Sequence, residues 1–447
     1  MTHATGNTAH TAVPITADTS GLSTSAKEML GLLIEAAKII DIVYLKQAGQ
    51  SAPHEGWQFD PSLPNQLYPA GTTKASLQEY FDKHSEEESV LRHPTAVVIK
   101  EGENLKAVPY AEQYREELSR AAALLLRASE LAEDEKLARF LKSRSEAFLT
   151  NAYRESDILW IHTNGPVEIT IGPFEDYADT LLGVKRMFEA VVGVVLEEDT
   201  AMANRFSESI RKFDRMLGER YGYTARTTLT PMVVIDEIFA AGESLYDYVP
   251  MAYNLPNDAD IHEEVGSKKV FIKNVMRAKF DAITRLIAGR VLCGKDFSRF
   301  DPDIYLQHVI GHEASHGLSF RFEGEDFGPI ASGLEEGKAD VFGMWFLFYL
   351  VDQGMFQSSV AETAAMQNVT DGLRQVRFGE AEAHARGALL QFNWFIAAGA
   401  LTVSEKGLRY DTALLRQAVE SLGDELYQLS LTKDDDAAES FLAKWGY

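Results

Sequence analysis

Apolar residues recur at helical spacing from Thr24 to about Gln47 (Leu30, Leu33, Ile34, Ala37, Ile40, Val43, Tyr44), which predicts a long amphipathic helix. A Pro- and Gly-rich segment, SAPHEGWQFDPSLPNQLYPAG, breaks the pattern and predicts a loop. Tyr110 to Tyr153 carries long helical patterns rich in Glu, Arg and Lys. PVEITIG, residues 166–172, alternates apolar and polar positions as a strand does, and Gly172-Pro173 ends it. Residues 182–218 return to helical spacing. TLTPMVVIDEIF and MAYNLPNDADIHEEVGSKKVF mix apolar runs with turn residues, and from Asp301 onward the chain is strongly helical. The pattern predicts a mainly α protein with a smaller α/β part.

A chain of 447 residues is long enough for two or three domains, or for one two-lobed body. Apolar residues at 45% and charged residues at 25% fit a globular protein of enzyme size. The formal net charge of -24 repels phosphate backbones and anionic lipid, so neither nucleic acid nor a membrane surface is an expected partner. Cys293 is the single cysteine, so no intrachain disulfide forms; its expected part is a small apolar filler. The first twenty residues have no basic and apolar leader pattern and are expected to be a disordered tail. The longest apolar run, VFGMWFLFYLV at 341–351, lies between Asp340 and Asp352 and is too short to cross a bilayer. The expected location is the cytoplasm.

Against this ordinary background HVIGHEASHGL, residues 308–318, stands out. Asp301-Pro302 is a good helix start, a capping Asp before a Pro at the first helical position. The predicted helix runs to about Ser319. Side chains four apart lie on one face, so His312 and His316 project together, which suits two imidazoles on one zinc ion. Glu313 between them is close enough to act on a water at that metal, the H-E-x-x-H arrangement of zinc hydrolases. His308 is on the same face, but about 12 Å of helix separates it from His316, so the two cannot share an ion. A pocket-wall or surface part is expected for it.

A third ligand is needed. The register H-E-x-x-H-x-x-G-x-x-H would require Gly and His where this chain has Ser319 and Phe322, so that class is excluded. The other class takes a glutamate from a following helix, and SGLEEGKADVFG at 332–343 offers Glu335 or Glu336. Ser332 and Glu335 have the spacing of a capping box, which accounts for Glu335 and favours Glu336 as the ligand. Glu335 and Asp340 would then stand just outside the metal, Asp340 accepting the outer N–H of a ligand histidine. Three protein ligands leave a zinc ion one open position for water, with Glu313 as general base. The residues alone thus reach metal-assisted hydrolysis and no further.

Four separated segments carry a resemblance. HEASH and EEGKAD, IGPFEDYADTLLGVKRMFEAVVG at 171–193, YNLPND at 253–258 with EEVGSKKV after it, and EAHARG at 382–387 together resemble the dipeptidyl peptidase III family of zinc peptidases. The order and rough spacing agree from about residue 140 to 400. The family's histidine motif has one residue more, HExxGH; the shorter spacing here is standard for two histidines on a regular helix. The resemblance implies Glu336 as the third ligand of one zinc ion per chain. It implies that Tyr177 and His384 stabilise the oxyanion or position the scissile carbonyl, and that Glu175, Asn254 and Asn257 hold a peptide's free amino terminus. It also implies two lobes around a cleft, whose closure brings Tyr177 to the zinc. The expected division is a substrate lobe of 21–195 and 236–284, and a helical zinc-binding lobe of 196–235 and 285–447. The expected partner is a short peptide; a small non-peptide substrate for a hydrolase or lyase at the same zinc site is the rival, and a non-catalytic binding protein the third. The sequence leaves the oligomeric state open.

Overall fold

Thr24–Gln47 forms one long helix, α1, whose start is fixed locally: the Ser23 hydroxyl accepts from the Ala26 amide. Its buried stripe includes Leu30, Leu33, Ala37, Ile40, Val43 and Tyr44, as the spacing predicts. The structure, a computed structural model, describes residues 13–54, 56–246, 249–379 and 382–446. The expected tail therefore lies outside the described residues up to residue 12, and 13–19 form no regular element.

The chain divides into two compact units, Met1–Leu196 with Ile235–Ala278, and Glu197–Val234 with Lys279–Tyr447. The expected boundary at 284/285 falls inside continuous helical backbone: Lys273–Lys279 passes through a π-helical turn, Phe280–Thr284, into Arg285–Val291.

In the first unit α1 packs on α2 (Arg115–Leu131), and α2 on α3 (Glu135–Thr150). Beside them is a five-stranded sheet of β1 (Val167–Glu175), β2 (Met187–Val195), β3 (Met232–Gly242), β4 (Ala252–Leu255) and β5 (Lys268–Ile272), in the order β1-β2-β3-β5-β4. The helical spacing over 182–218 is misleading at its start, because MFEAVVGVV is strand β2. Met187 through Val194 are all buried, so no polar face marks the period; the Val-rich composition is the better guide. β1 alternates in sequence, yet both its faces are buried. Its polar residues are answered inside the sheet: Lys268 Nζ lies 2.8 and 2.9 Å from the Glu168 oxygens, and the hydroxyls of Thr170 and Tyr253 are 2.8 Å apart. The Thr170–Tyr253 contact joins the two edge strands, so the sheet curls until they meet.

The second unit is mainly helical, with one small hairpin of Leu401–Ser404 and Gly407–Tyr410; its long helices are α4 (Glu197–Tyr221), α5 (Pro302–Ser315), α6 (Ala331–Asp352), α7 (Ser358–Gln375), α8 (Ala383–Ala397) and α9 (Thr412–Ser430). The other five all pack against α6, and the long apolar run in its second half forms the core they share. Among the described residues no helix is long and apolar enough to cross a membrane.

Two local expectations fail. α5 starts as expected, with Asp301 accepting from the Asp303 amide and Pro302 in the first turn, but it ends at Ser315 rather than Ser319. The buried Asp214 of α4 captures Ser319 through its hydroxyl at 2.5 Å and its amide at 3.3 Å, which pulls the chain off the helix axis. His316 keeps helical torsions as the cap residue, so the four-residue spacing survives. At α6 the capping box does not form: the helix grows from the short turn Gly328–Ile330, starts at Ala331, has no side-chain cap and encloses Ser332.

Candidate metal centre

His312 and His316 end α5 one turn apart, with ring centroids 4.9 Å apart and planes at 86°. Glu336 reaches them from the second turn of α6. The helices approach at a glycine pair: a β-carbon on Gly343 would stand 2.8 Å from the His312 backbone nitrogen, and one on Gly311 3.2 Å from the Gly343 carbonyl oxygen. Against α8, a β-carbon on Gly387 would stand 2.9 Å from the Gly337 backbone nitrogen of α6. Glycine at these crossings brings three helices close enough for short side chains to converge.

The protons on the two imidazoles are assigned by their neighbours. His312 Nδ1 is 2.7 Å from Asp340 Oδ1, and His316 Nδ1 is 3.1 Å from Glu335 Oε1. A carboxylate accepts, so each Nδ1 carries a hydrogen, and a ring in its neutral form turns a bare Nε2 lone pair the other way. Those Nε2 atoms face each other at 3.2 Å, and Glu336 Oε2 lies 3.4 Å from that of His312 and 3.8 Å from that of His316. Glu336 Oε2 is buried and has no hydrogen-bond partner among the described residues. With both rings neutral, two imidazole lone pairs and a carboxylate oxygen converge on one point, an arrangement that asks for a cation. Bonds of about 2.0–2.1 Å to a tetrahedral ion set donor atoms roughly 3.3 Å apart, close to the observed separations. Two imidazoles and a carboxylate suit a divalent transition metal.

Without a metal, the same carboxylates draw a proton onto His312. Burial opposes charge on His312, but the bonds and fields of Asp340 and Glu336 outweigh it and raise its pKa well above the ordinary histidine value in the metal-free chain. Burial likewise opposes ionisation of Glu335, yet Lys338 and His316 push it down to about 2. Asp340 is held well below the usual carboxylate range by His308 and His312 against the same burial cost.

Glu335 has no capping task. It accepts from His316, from the Phe322 amide at 3.1 Å and from Lys338 Nζ at 2.8 Å. His308 is not at the surface: it is buried, with Nε2 3.8 Å from Asp340 Oδ1. Glu313 follows His312 on α5 and is half-buried. His384, in the first turn of α8, sets its Nδ1 3.3 Å from Glu336 Oε2.

The first unit collects a second group. Asn257 Nδ2 donates to Glu175 Oε2 at 2.8 Å and to the Phe174 carbonyl at 3.2 Å. Burial raises the Glu175 pKa, against hydrogen bonds from Asn257 and Tyr177 that favour the ionised form. Tyr177 is 69% exposed on the turn after β1. Asn254 lies on edge strand β4, with Oδ1 buried and without a hydrogen-bond partner among the described residues.

Sequence reasoning did not find Lys338, Gln391 and Asn368, which stand behind the carboxylates, nor the glycine crossings. The one available signal was a lysine three residues after Glu335 on a helix, the spacing of an ion pair.

The profile of Peptidase family M49 matches residues 75–318, a span that includes HEASH. Nudix hydrolase 3 of Arabidopsis thaliana is 33% identical over 354 residues, covering 76% of this chain and 46% of that protein. The structure of DPP III from Caldithrix abyssi superposes with a TM-score of 0.89 at 27% identity, over 97% of this chain and 92% of that one. Dipeptidyl-peptidase III from Corallococcus sp. strain EGB gives 0.77 at 30% identity, over 97% and 90%. The chain spans about half the length of the curated relatives it matches.

Proposed function

The chain belongs to peptidase family M49, and from that premise we propose that it is a zinc-dependent peptidase of the dipeptidyl peptidase III type, cleaving short peptides near their amino end. The observation that carries the proposal is the convergence of His312 Nε2, His316 Nε2 and Glu336 Oε2, all within 4.8 Å of one another.

His312, His316 and Glu336 would hold the ion, with Asp340 and Glu335 fixing the two rings. A zinc ion there supplies Lewis-acid polarisation of a carbonyl and a water of lowered pKa. Glu313 takes the proton of the attacking water and returns it to the leaving amine. His384, and Tyr177 on family grounds, donate to the oxygen on which charge develops. The Glu175 carboxylate neutralises the substrate's ammonium group, and the amides of Asn254 and Asn257 bond its extended backbone.

The test is turnover of dipeptide arylamides beside their N-acetylated forms, with zinc content measured on the same sample. Cleavage of the free-amine substrates alone supports the reading. With zinc intact, equal cleavage of both forms contradicts the amino-terminal anchor, and cleavage of neither moves the assignment to a small non-peptide substrate.

A further inference from the structure

Asp340 is held from two sides. Its Oδ1 faces His312, and its Oδ2 accepts from Gln391 Nε2 at 2.9 Å. Gln391 is 1% exposed and fully bonded: Nε2 also donates to the Gly387 carbonyl at 3.0 Å, and Oε1 accepts from Asn368 Nδ2 at 2.7 Å. This pattern allows one amide orientation only. Turned over, Oε1 would oppose the Asp340 carboxylate and the Gln391 NH2 would meet that of Asn368. The reach comes from the glycine crossing of α6 and α8. Asp340 lies one turn beyond Gly337 and Gln391 one turn beyond Gly387, so the close approach of the glycines brings acceptor and donor together. His384, which touches Glu336, sits near the start of the same helix α8.

The two histidines thus have unlike backing. Behind His316, Glu335 meets the ammonium of Lys338; behind His312, Asp340 meets His308 at 3.8 Å on Oδ1 and, on Oδ2, a neutral amide that ties in α7 and α8. We propose that Gln391 is a positioning residue of the metal centre: acting through Asp340 it fixes the His312 ring, and it ties that ring to the helix bearing His384. The inference rests on reading His312, His316 and Glu336 as metal ligands.

The experiment uses the full chain and zinc itself. Zinc dissociation constants are measured by competition with a chromophoric chelator for wild type, Q391L, Q391E, D340N and the D340N/Q391L double variant. The visible spectrum of the cobalt-substituted proteins gives a second readout. Q391L is expected to weaken zinc about tenfold, the lower end of the range for partners of metal ligands, and to shift the cobalt spectrum. Q391E, which sets a carboxylate against Asp340, is expected to weaken it at least as much. In the D340N background Q391L is expected to add nothing, because its effect passes through Asp340. Wild-type affinity with an unshifted spectrum in Q391L, or effects of D340N and Q391L that multiply, would overturn the inference while leaving the metal reading intact. Failure of the wild type to bind one zinc would overturn both. Should Q391L not fold, N368L, which removes the donor to Gln391 Oε1 and with it a long contact to Met344 Sδ at 3.9 Å, asks the same question: weaker zinc supports the inference and unchanged zinc overturns it.

Discussion

Gly343 lies so close to His312 that a β-carbon on it would stand 2.8 Å from the His312 backbone nitrogen. Backbone cannot yield as a flexible side chain does, so Gly343→Ala must part α5 from α6. The expected cost is about 1–3 kcal/mol, as for overpacking elsewhere, together with weaker zinc binding because Glu336 and Asp340 move off the histidines. Thermal unfolding with and without zinc checks this; a variant with wild-type stability and wild-type metal affinity contradicts the close-approach account.

Glu313 stands beside His312, a proposed metal ligand, without being one of the three converging groups. Glu313→Gln keeps the side chain's shape but removes the carboxylate proposed as the base. Zinc content is expected to stay at one per chain while kcat falls roughly a hundred- to ten-thousandfold. Full turnover in this variant would assign the proton transfer to another group.

Lys338 is fully buried, with its ammonium 2.8 Å from Glu335 Oε1. Lys338→Met leaves Glu335 buried without that partner. Breaking a buried pair from one side costs about 3–5 kcal/mol, and urea unfolding at neutral pH should show a loss of that order. Lys338→Arg, which retains the cation, should lose less.

Glu189 carries a testable pH dependence. Burial raises its pKa to about 7, against the Ser244 hydroxyl bond and with help from the Glu175 charge. Its folded pKa lies above the unfolded value near 4.5, so between these values the folded state binds more protons and stability falls as pH rises. The contribution is complete below about pH 4.5 and lost above about pH 7, about 3 kcal/mol in all. Glu189→Gln should therefore exceed wild type in unfolding free energy at pH 8, and the gap should close toward pH 4.5. A gap independent of pH contradicts the assignment.

Several parts of this structure were legible in the sequence for local reasons. Asp301-Pro302 starts α5 because a cap and a fixed φ act within a few residues, and the stripe of α1 follows from its helical period alone. The histidine pair is legible for the same reason, since its geometry lies within one turn. What the sequence hides depends on distant partners. β2 looks helical because a strand buried on both faces shows no polar period. α5 stops early because Asp214, about a hundred residues upstream, takes Ser319. Glu335 looks like a cap partner until the fold gives it His316, Lys338 and the Phe322 amide. Gln391 had no sequence signal, because its part depends on two glycines, in separate helices, meeting.

The central claim is that one cation sits among His312, His316 and Glu336. Anomalous diffraction at the zinc absorption edge, on crystals of the zinc-loaded chain, tests it most directly. The account predicts one strong peak per chain, about 2.0–2.1 Å from each histidine Nε2 and within bonding distance of a Glu336 oxygen. No peak at that position, or a zinc ion bound with the Glu336 carboxylate turned away from it, would contradict the account.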